Sequence, residues 1–255
     1  MSKSKSVYTP LAKHFKLSAE QTPKSAEELK DMAEVPYASA VGCLMYAMVC
    51  SRPDLAQAVN QVSKYTSNPG RKHWETVKWI LRYLRGTSDY GLMFGGEVQD
   101  SVIGFVDSYY GGELDNSRST TGYVFTLAGA PICWRSVQQP IVAMSTTEAE
   151  YMTLGEAAKE VVWVQGLVSK LGVDQEGVQL HYDSQSALCL AKNQVYHGRT
   201  KHIRIRFHKI RELATSGEVL LEKVHTSENH ADMLTKHVTT KKFKHCMDLL
   251  RVCQC

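Results

Sequence analysis

SVIGFVDSYYGGELDNSRSTTGYVFTLAGAPICWRS, residues 101–136, and STTEAEYMTLGEAAKEVVWVQGLVSKL, residues 145–171, decide the fold of this chain. In the first stretch, Ser101–Val106, Gly122–Ala128 and Pro131–Ser136 are short runs rich in β-branched and aromatic residues, parted by Gly, Asn and Ser; they read as three antiparallel strands. The second stretch opens on Ser145 with Glu148 three residues on, a capping-box pattern. Leu154, Ala158, Val161, Val164, Val168 and Leu171 then recur at helical spacing, which predicts one long helix turning an apolar stripe toward a sheet. Beyond it, Val178–Tyr182 reads as a strand, Ser184–Asn193 as a helix, Lys201–Ala214 as a basic helix, Glu218–Val224 as a strand, and the residues after Asn229 as helical. Three strands followed by alternating helices and strands imply an α/β fold with helices packed on a mixed sheet.

Upstream the character differs. Residues 1–35 are polar, with Pro10, Pro23 and a mixed charge run, and read as a linker or loosely packed leader holding a small apolar patch at Leu11, Phe15 and Leu17. Residues 36–98 turn helical, with breaks at Arg52-Pro53-Asp54 and Asn68-Pro69-Gly70, so three short helices are expected. The third, Arg71–Arg85, places Trp74, Val77, Leu81 and Leu84 on one stripe, the pattern of a core-facing helix. Residues 99–255 are expected to form a separate, larger domain.

The 255 residues are 43% hydrophobic and 22% charged, an ordinary globular composition with room for two modest cores. The longest apolar run, Ala40–Cys50, falls short of the roughly 20 residues of a membrane span. No secretory signal follows the basic start at Met1–Ser6, so an intracellular protein without a membrane is expected. Seven cysteines without CxxC spacing point to reduced thiols, several of them core fillers, rather than a disulfide framework or zinc site. The net charge of +4 is uneven: Lys192–Cys255 has 13 Lys and Arg against 6 Asp and Glu, and seven of the ten histidines. That end is a candidate surface for a polyanion, or a solvated helix face.

Three acids stand where the pattern changes element: Asp107 at the end of the first strand, Asp183 at the end of the fourth, and Asp232 at the start of a late helix. Element ends are where open sheets gather their sites, although Asp also serves turns, and Asp183 before Ser184 fits an N-cap. A fourth acid comes from the long helix. Glu148 has a capping role, whereas Glu150 lies four residues before Leu154 on the buried side, where an unpaired charge is costly. Glu150 is therefore the better candidate ligand. Four carboxylates converging on one end of a sheet repel unless cations neutralise them, and hard oxygen donors favour Mg²⁺ or Mn²⁺ over zinc. The chemistry that follows is two-metal phosphodiester cleavage. No Walker loop or GxSxG elbow supports a nucleotide-hydrolase or serine-hydrolase reading.

Five blocks occur in order: GFVDSYYGGELDNSRSTTGYVF (104–125), STTEAEYMTLGEAAKEVVW (145–163), YDSQSALCLAKN (182–193), RTKHIRIRFHKIRE (199–212) and ENHADMLTK (228–236). Together they resemble the ribonuclease H domain of copia-type retrotransposons, particularly those of plants. VPYASAVGCLMYAMVCSRPDLAQAV (35–59) and SNPGRKHWETVKWILRYLRGT (67–87) are similar to the segment that joins reverse transcriptase to ribonuclease H in the same polyproteins. The resemblance covers nearly the whole chain and marks it as the C-terminal part of a Pol polyprotein. It implies a ribonuclease H fold, with a five-stranded mixed sheet of three antiparallel strands then two parallel ones. It also implies a two-Mg²⁺ endonuclease, with Mn²⁺ as a substitute, that hydrolyses the RNA strand of an RNA/DNA hybrid to a 3′ hydroxyl and a 5′ phosphate. The family's four catalytic acids fall on Asp107, Glu150, Asp183 and Asp232.

The partners implied are the hybrid and, in the parent polyprotein, the reverse transcriptase domain; the place implied is a cytoplasmic retroelement particle, or the nucleus. Arg199, Lys201, Arg204, Arg206 and Lys209 are candidates for phosphate contacts, and Ser184, Gln185 and Asn193 for contacts to a groove, without sequence specificity. In many relatives a histidine before the last Asp assists product release; His225 and His230 are nearest and read as surface residues. The chain departs from the family in three respects. The tyrosine and double-aspartate motif of the polymerase site is absent, so DNA synthesis is not expected. Tyr109 stands where relatives often carry a second Asp, and His230 and His237 stand where they carry Pro. The alternative reading is a non-catalytic nucleic-acid-binding remnant.

Overall fold

The computed structural model describes residues 4–95, 101–173, 175–184 and 204–254, with backbone alone at 204–209. Helices α1 (Ala26–Ala33), α2 (Tyr37–Cys50), α3 (Ala56–Ser63) and α4 (Arg71–Gly86) come first, and a short strand β1 (Tyr90–Leu92) follows. Next come β2 (Val102–Tyr109), β3 (Thr120–Leu127), β4 (Ala130–Gln138), the long helix α5 (Thr146–Lys170) and β5 (Val178–Tyr182). The chain ends in α6 (Arg204–Thr215), β6 (Val219–Lys223), α7 (Asp232–Thr235), α8 (Thr240–Leu249) and β7 (Val252–Gln254). The helix expected at Ser184–Asn193 lies outside the described residues, apart from Ser184 itself.

The sheet has the order β4-β3-β2-β5-β6, with β2, β3 and β4 antiparallel and β5 and β6 parallel to β2. This is the mixed five-stranded arrangement, three antiparallel strands then two parallel ones, that the resemblance implies. Period-two alternation sends Val102 and Val106 of β2, with Leu180 of β5, to a core built against Leu154, Ala158, Val161, Val164 and Val168 of α5. The other face, through Phe105, Val124 and Trp134, packs in a second core with α2, α3, α4, α7 and α8. Cover on both faces explains why seven of the eight residues of β3 are buried, where a one-sided strand would alternate. Leu171, expected on the stripe, is instead exposed beyond the end of α5.

The three helices expected between residues 36 and 98 are present as α2, α3 and α4. The leader is not a loose linker. Leu11 and Leu17 are buried in the second core, Trp79 Nε1 donates to the Thr9 carbonyl at 2.9 Å, and Ala19 N donates to both oxygens of Asp115 at 2.9 and 3.0 Å. Gly70 allows this docking, because a Cβ there would lie 1.8 Å from the Gln21 carbonyl oxygen. His73 completes it: Gly70 N donates to its Nδ1, Nε2 lies 3.1 Å from the Ser18 carbonyl, and the ring stacks on Tyr65. A polar sequence reads as loose because its fixings are backbone bonds, which composition does not show.

Two short elements close the molecule: β1 pairs antiparallel with β7, tying residues 90–92 to residues 252–254. Among the five described cysteines, Cys246 is buried in the second core and Cys133 packs, partly buried, against the first, whereas Cys43 and Cys50 are exposed. No single helix among the described residues is long and apolar enough to cross a membrane. Leu154→Ala in one core and Ile80→Ala in the other are each expected to cost about 2–5 kcal/mol, the range for truncating a fully buried aliphatic chain, as measured by urea unfolding.

Candidate metal centre

Register explains why two of the acids meet. Strands β2 and β5 are parallel neighbours with Phe105 opposite His181, so two residues further on Asp107 stands opposite Asp183. Parallel strands present the same end to the same edge, and neighbouring strands are roughly 4.8 Å apart. Asp107 lies within β2, two residues before its end, and is buried; Asp183 follows β5 directly and is half-buried.

The third acid arrives through α7. Asp107 pairs across the sheet with Gly122, and a Cβ on Gly122 would lie 2.4 Å from Thr235 Cγ2 and 3.1 Å from Leu234 Cβ. The missing side chain is what lets α7 rest on the strand pair. Asn229, fully buried, pins the approach: its Nδ2 donates to the Val106 carbonyl at 2.9 Å and its Oδ1 accepts from Ala231 N at 3.1 Å. Asp232, the first residue of α7, is thereby brought to Asp107, and one oxygen each of Asp107, Asp183 and Asp232 lie within 4.8 Å of one another.

Two lysines and two threonines attend these carboxylates. Lys236 Nζ lies 2.8 Å from Asp232 Oδ1 and 3.2 Å from Asp107 Oδ2, bridging them, and Lys242 Nζ lies 3.5 Å from Asp232 Oδ2. The Thr235 hydroxyl donates to Asp107, and the Thr226 hydroxyl donates to Asp183 at 3.0 Å. Burial pushes Asp107 up to about 7, partly opposed by Lys236 and reinforced by the charges of Asp232 and Asp183. Burial works against the charge of the Lys236 ammonium too, but Asp107 and Asp232 outweigh it and hold the group protonated above its ordinary range.

Glu150 stands in the second turn of α5, half-buried, and does not contribute one of the three oxygens that share that spacing. Burial raises its pKa; a hydrogen bond from Ser184 and the charge of Lys236 oppose this, while the charge of Asp183 adds to it. Ser184 is thus beside the acids. Glu148 has the expected capping position: its amide donates to Ser145 Oγ at 3.1 Å, and its carboxylate reaches back one residue further than a capping box, to Met144 N at 2.8 Å. Gln185, Asn193, Arg199 and Lys201 lie outside the described residues, as do the side chains of Arg204, Arg206 and Lys209.

The histidines divide. His225 is exposed and bonded to Ser227, as expected of a surface residue. His230 is half-buried rather than exposed: its ring lies 3.6 Å from that of Phe105, whose ring also stacks on His181, and burial lowers its pKa to about 4. It is neutral at physiological pH. Lys236, Lys242, Thr226, Thr235, Gly122 and Asn229 were all missed from sequence. The one local signal was Lys236 four residues after Asp232, the spacing of a helical ion pair.

No protein-family model matches the chain. A retrovirus-related Pol polyprotein from transposon TNT 1-94 of Nicotiana tabacum is 51% identical over 251 residues, 98% of this chain and 19% of its own. That from transposon RE2 of Arabidopsis thaliana is 36% identical over 94% of this chain and 16% of its own. The chain therefore spans about a fifth of these relatives' length or less. A Plasmopara viticola protein described as a secreted RxLR effector is 47% identical over 133 residues, 52% of this chain and 94% of its own. Among solved structures, a ribonuclease H1 from Halobacterium salinarum aligns over 53% of this chain and 94% of its own at 18% identity with a TM-score of 0.41.

The electrostatics make a pH prediction. The folded pKa of Asp107, about 7, lies above its ordinary 3.8, so its contribution to stability is full below pH 3.8 and is lost as pH rises through 7. In EDTA, Asp107→Asn removes this dependence. The melting temperature of the wild type relative to the variant should fall between about pH 4 and pH 7, as thermal denaturation across that window would show; a constant difference would contradict the assignment.

Proposed function

The chain belongs to the family of retrotransposon Pol polyproteins, and on that footing we propose that it is a ribonuclease H domain that uses divalent metal to hydrolyse the RNA strand of an RNA/DNA hybrid. The observation that carries this reading is the meeting of three carboxylates at the edge where β2 and β5 end. Their donor set is all oxygen, suited to Mg²⁺ or Mn²⁺. The fit is also electrostatic: burial, reinforced by the charges of Asp232 and Asp183, raises Asp107 to about 7, and a cation held between these carboxylates would offset that cost. Asp107, Asp183 and Asp232, with Glu150 completing the set, would hold the ions. Two ions in such a site activate a water and stabilise the leaving oxygen of an in-line displacement.

The protein's own groups prepare this edge. The Thr235 and Thr226 hydroxyls fix the Asp107 and Asp183 carboxylates by donating to them, which leaves the remaining lone pairs for a cation. Lys236 neutralises the pair Asp107 and Asp232, so the acids can share the edge when no divalent ion is near. Ser184, hydrogen-bonded to Glu150, would meet a substrate group at this edge. His230, pressed on Phe105 and neutral, serves the packing under the site; the chemistry falls to the acids.

A second reading, nucleic-acid binding without turnover, draws on one observation: Lys236 already supplies a cation to two of the three acids. Turnover separates the two. Cleavage of a labelled hybrid should require Mg²⁺ or Mn²⁺. Asp107→Asn and Asp183→Asn should each lower the rate by more than about 100-fold, since partners behind a metal ligand alone cost 10–100-fold. Salt-sensitive hybrid binding by the wild type with no metal-dependent product would establish the second reading instead.

A further inference from the structure

The leader and α4 meet in a way that the acid edge does not account for. Residues 4–16 contain three lysines and no acid, and α4 carries Arg71, Lys72, Lys78, Arg82 and Arg85 against Glu75 alone. Two such segments repel when packed side by side, yet they are held together by Trp79 Nε1 on the Thr9 carbonyl at 2.9 Å and Arg82 Nε on the Lys5 carbonyl at 2.7 Å. Between them lies an open cleft of about 580 Å³ whose walls include His14, Phe15, Lys16, Lys78, Trp79 and Arg82. Lys72 is answered by Glu75 at 3.3 Å, whereas Lys16 and Lys78 are exposed and, among the described residues, have no acidic partner. A single solvated helix face would put its cations on one side; here both walls of a concave site are basic.

The cleft is also aromatic. The rings of His14 and Phe15 each lie 5.5 Å from Trp79, and the Arg82 guanidinium lies 5.1 Å from the same ring. A duplex backbone offers phosphates and sugars but encloses its bases, so it has no use for ring surfaces. Cations interleaved with aromatic rings suit a single strand, whose phosphates and unstacked bases are both available. The position fits too. Thr9 to Leu11, immediately before this wall, line a small pocket together with Lys236 and His237, so the leader passes beside the lysine that bridges two of the acids before it reaches the cleft.

We propose that the cleft between the leader and α4 binds single-stranded nucleic acid, with Lys16 and Lys78 contacting phosphates and His14 offering a stacking surface to a base. In this arrangement an unpaired extension of a duplex at the acid edge is gripped along the leader. The site is independent of hydrolysis, and so is its test.

Fluorescence anisotropy of a labelled single-stranded oligodeoxynucleotide, in EDTA, reads it without any cleavage. Lys16→Gln/Lys78→Gln is expected to weaken binding roughly tenfold and to lower the slope of log affinity against log salt by about 1.4, two phosphate contacts on a single strand. His14→Ala is expected to weaken it about fivefold or more, the low end for stacking one base. Lys170→Gln/Lys244→Gln, which removes the same charge elsewhere, should leave affinity near the wild-type value. Unchanged binding in the cleft variants, or an equal loss in the control pair, overturns the proposal. An equal loss for a blunt duplex overturns the assignment to a single strand.

Discussion

Three carboxylates converging to within 4.8 Å at a partly desolvated sheet edge is the constraint from which the rest of the site follows. At an effective dielectric constant near 20, two unit charges at that separation repel by about 3 kcal/mol. A fold cannot hold three such groups ionised unless something nearby is positive. The chain meets this with Lys236, set across Asp107 and Asp232, and with Lys242 behind Asp232. The compensation is incomplete, because burial, reinforced by the charges of Asp232 and Asp183, still pushes Asp107 up to about 7. An acid cluster that its own lysines do not fully offset has room for further positive charge.

Holding the acids there shapes the surrounding fold. Parallel pairing of β2 with β5 aligns Asp107 with Asp183, and the glycine at position 122 clears the ground on which α7 lands with Asp232. Asn229 bridges β2 to the start of that helix. Behind α7 lies the second core, where α2, α3, α4 and α8 pack on the same sheet face. The helical region thus braces the element that carries the third acid, and the leader, fixed over α4, extends that brace to the edge itself.

Much of this was legible in the sequence where a pattern repeats. The long helix was readable from Ser145 and Glu148 at its start and from the stripe Leu154 to Val168, and its bounds are Thr146–Lys170. Strands β2 to β6 announced themselves through β-branched residues between turn formers, and Asp107, Asp183 and Asp232 stood out because each marked a change of element. What escaped reading has no period. Strands β1 and β7 are three residues each and pair residues 90–92 with residues 252–254, and the leader docks through backbone carbonyls at Thr9, Lys5 and Ser18 that any sequence would supply. Lys236 was visible only as a helical neighbour of Asp232; its second contact, to Asp107, joins residues 129 apart. His230 looked like a surface histidine because the ring that buries it, Phe105, lies on a distant strand.

Whether the acid edge takes up metal can be measured apart from catalysis. Electron paramagnetic resonance of Mn²⁺ titrated into the protein counts bound ions directly, whatever the fate of the RNA. Wild-type protein should take up Mn²⁺ at sites that Mg²⁺ displaces, Asp107→Asn should lose that uptake, and Lys236→Met, with the competing cation removed, should bind Mn²⁺ more tightly than the wild type. Equal uptake by the wild type and Asp107→Asn, or none by either, would contradict the claim that these carboxylates are assembled to hold metal.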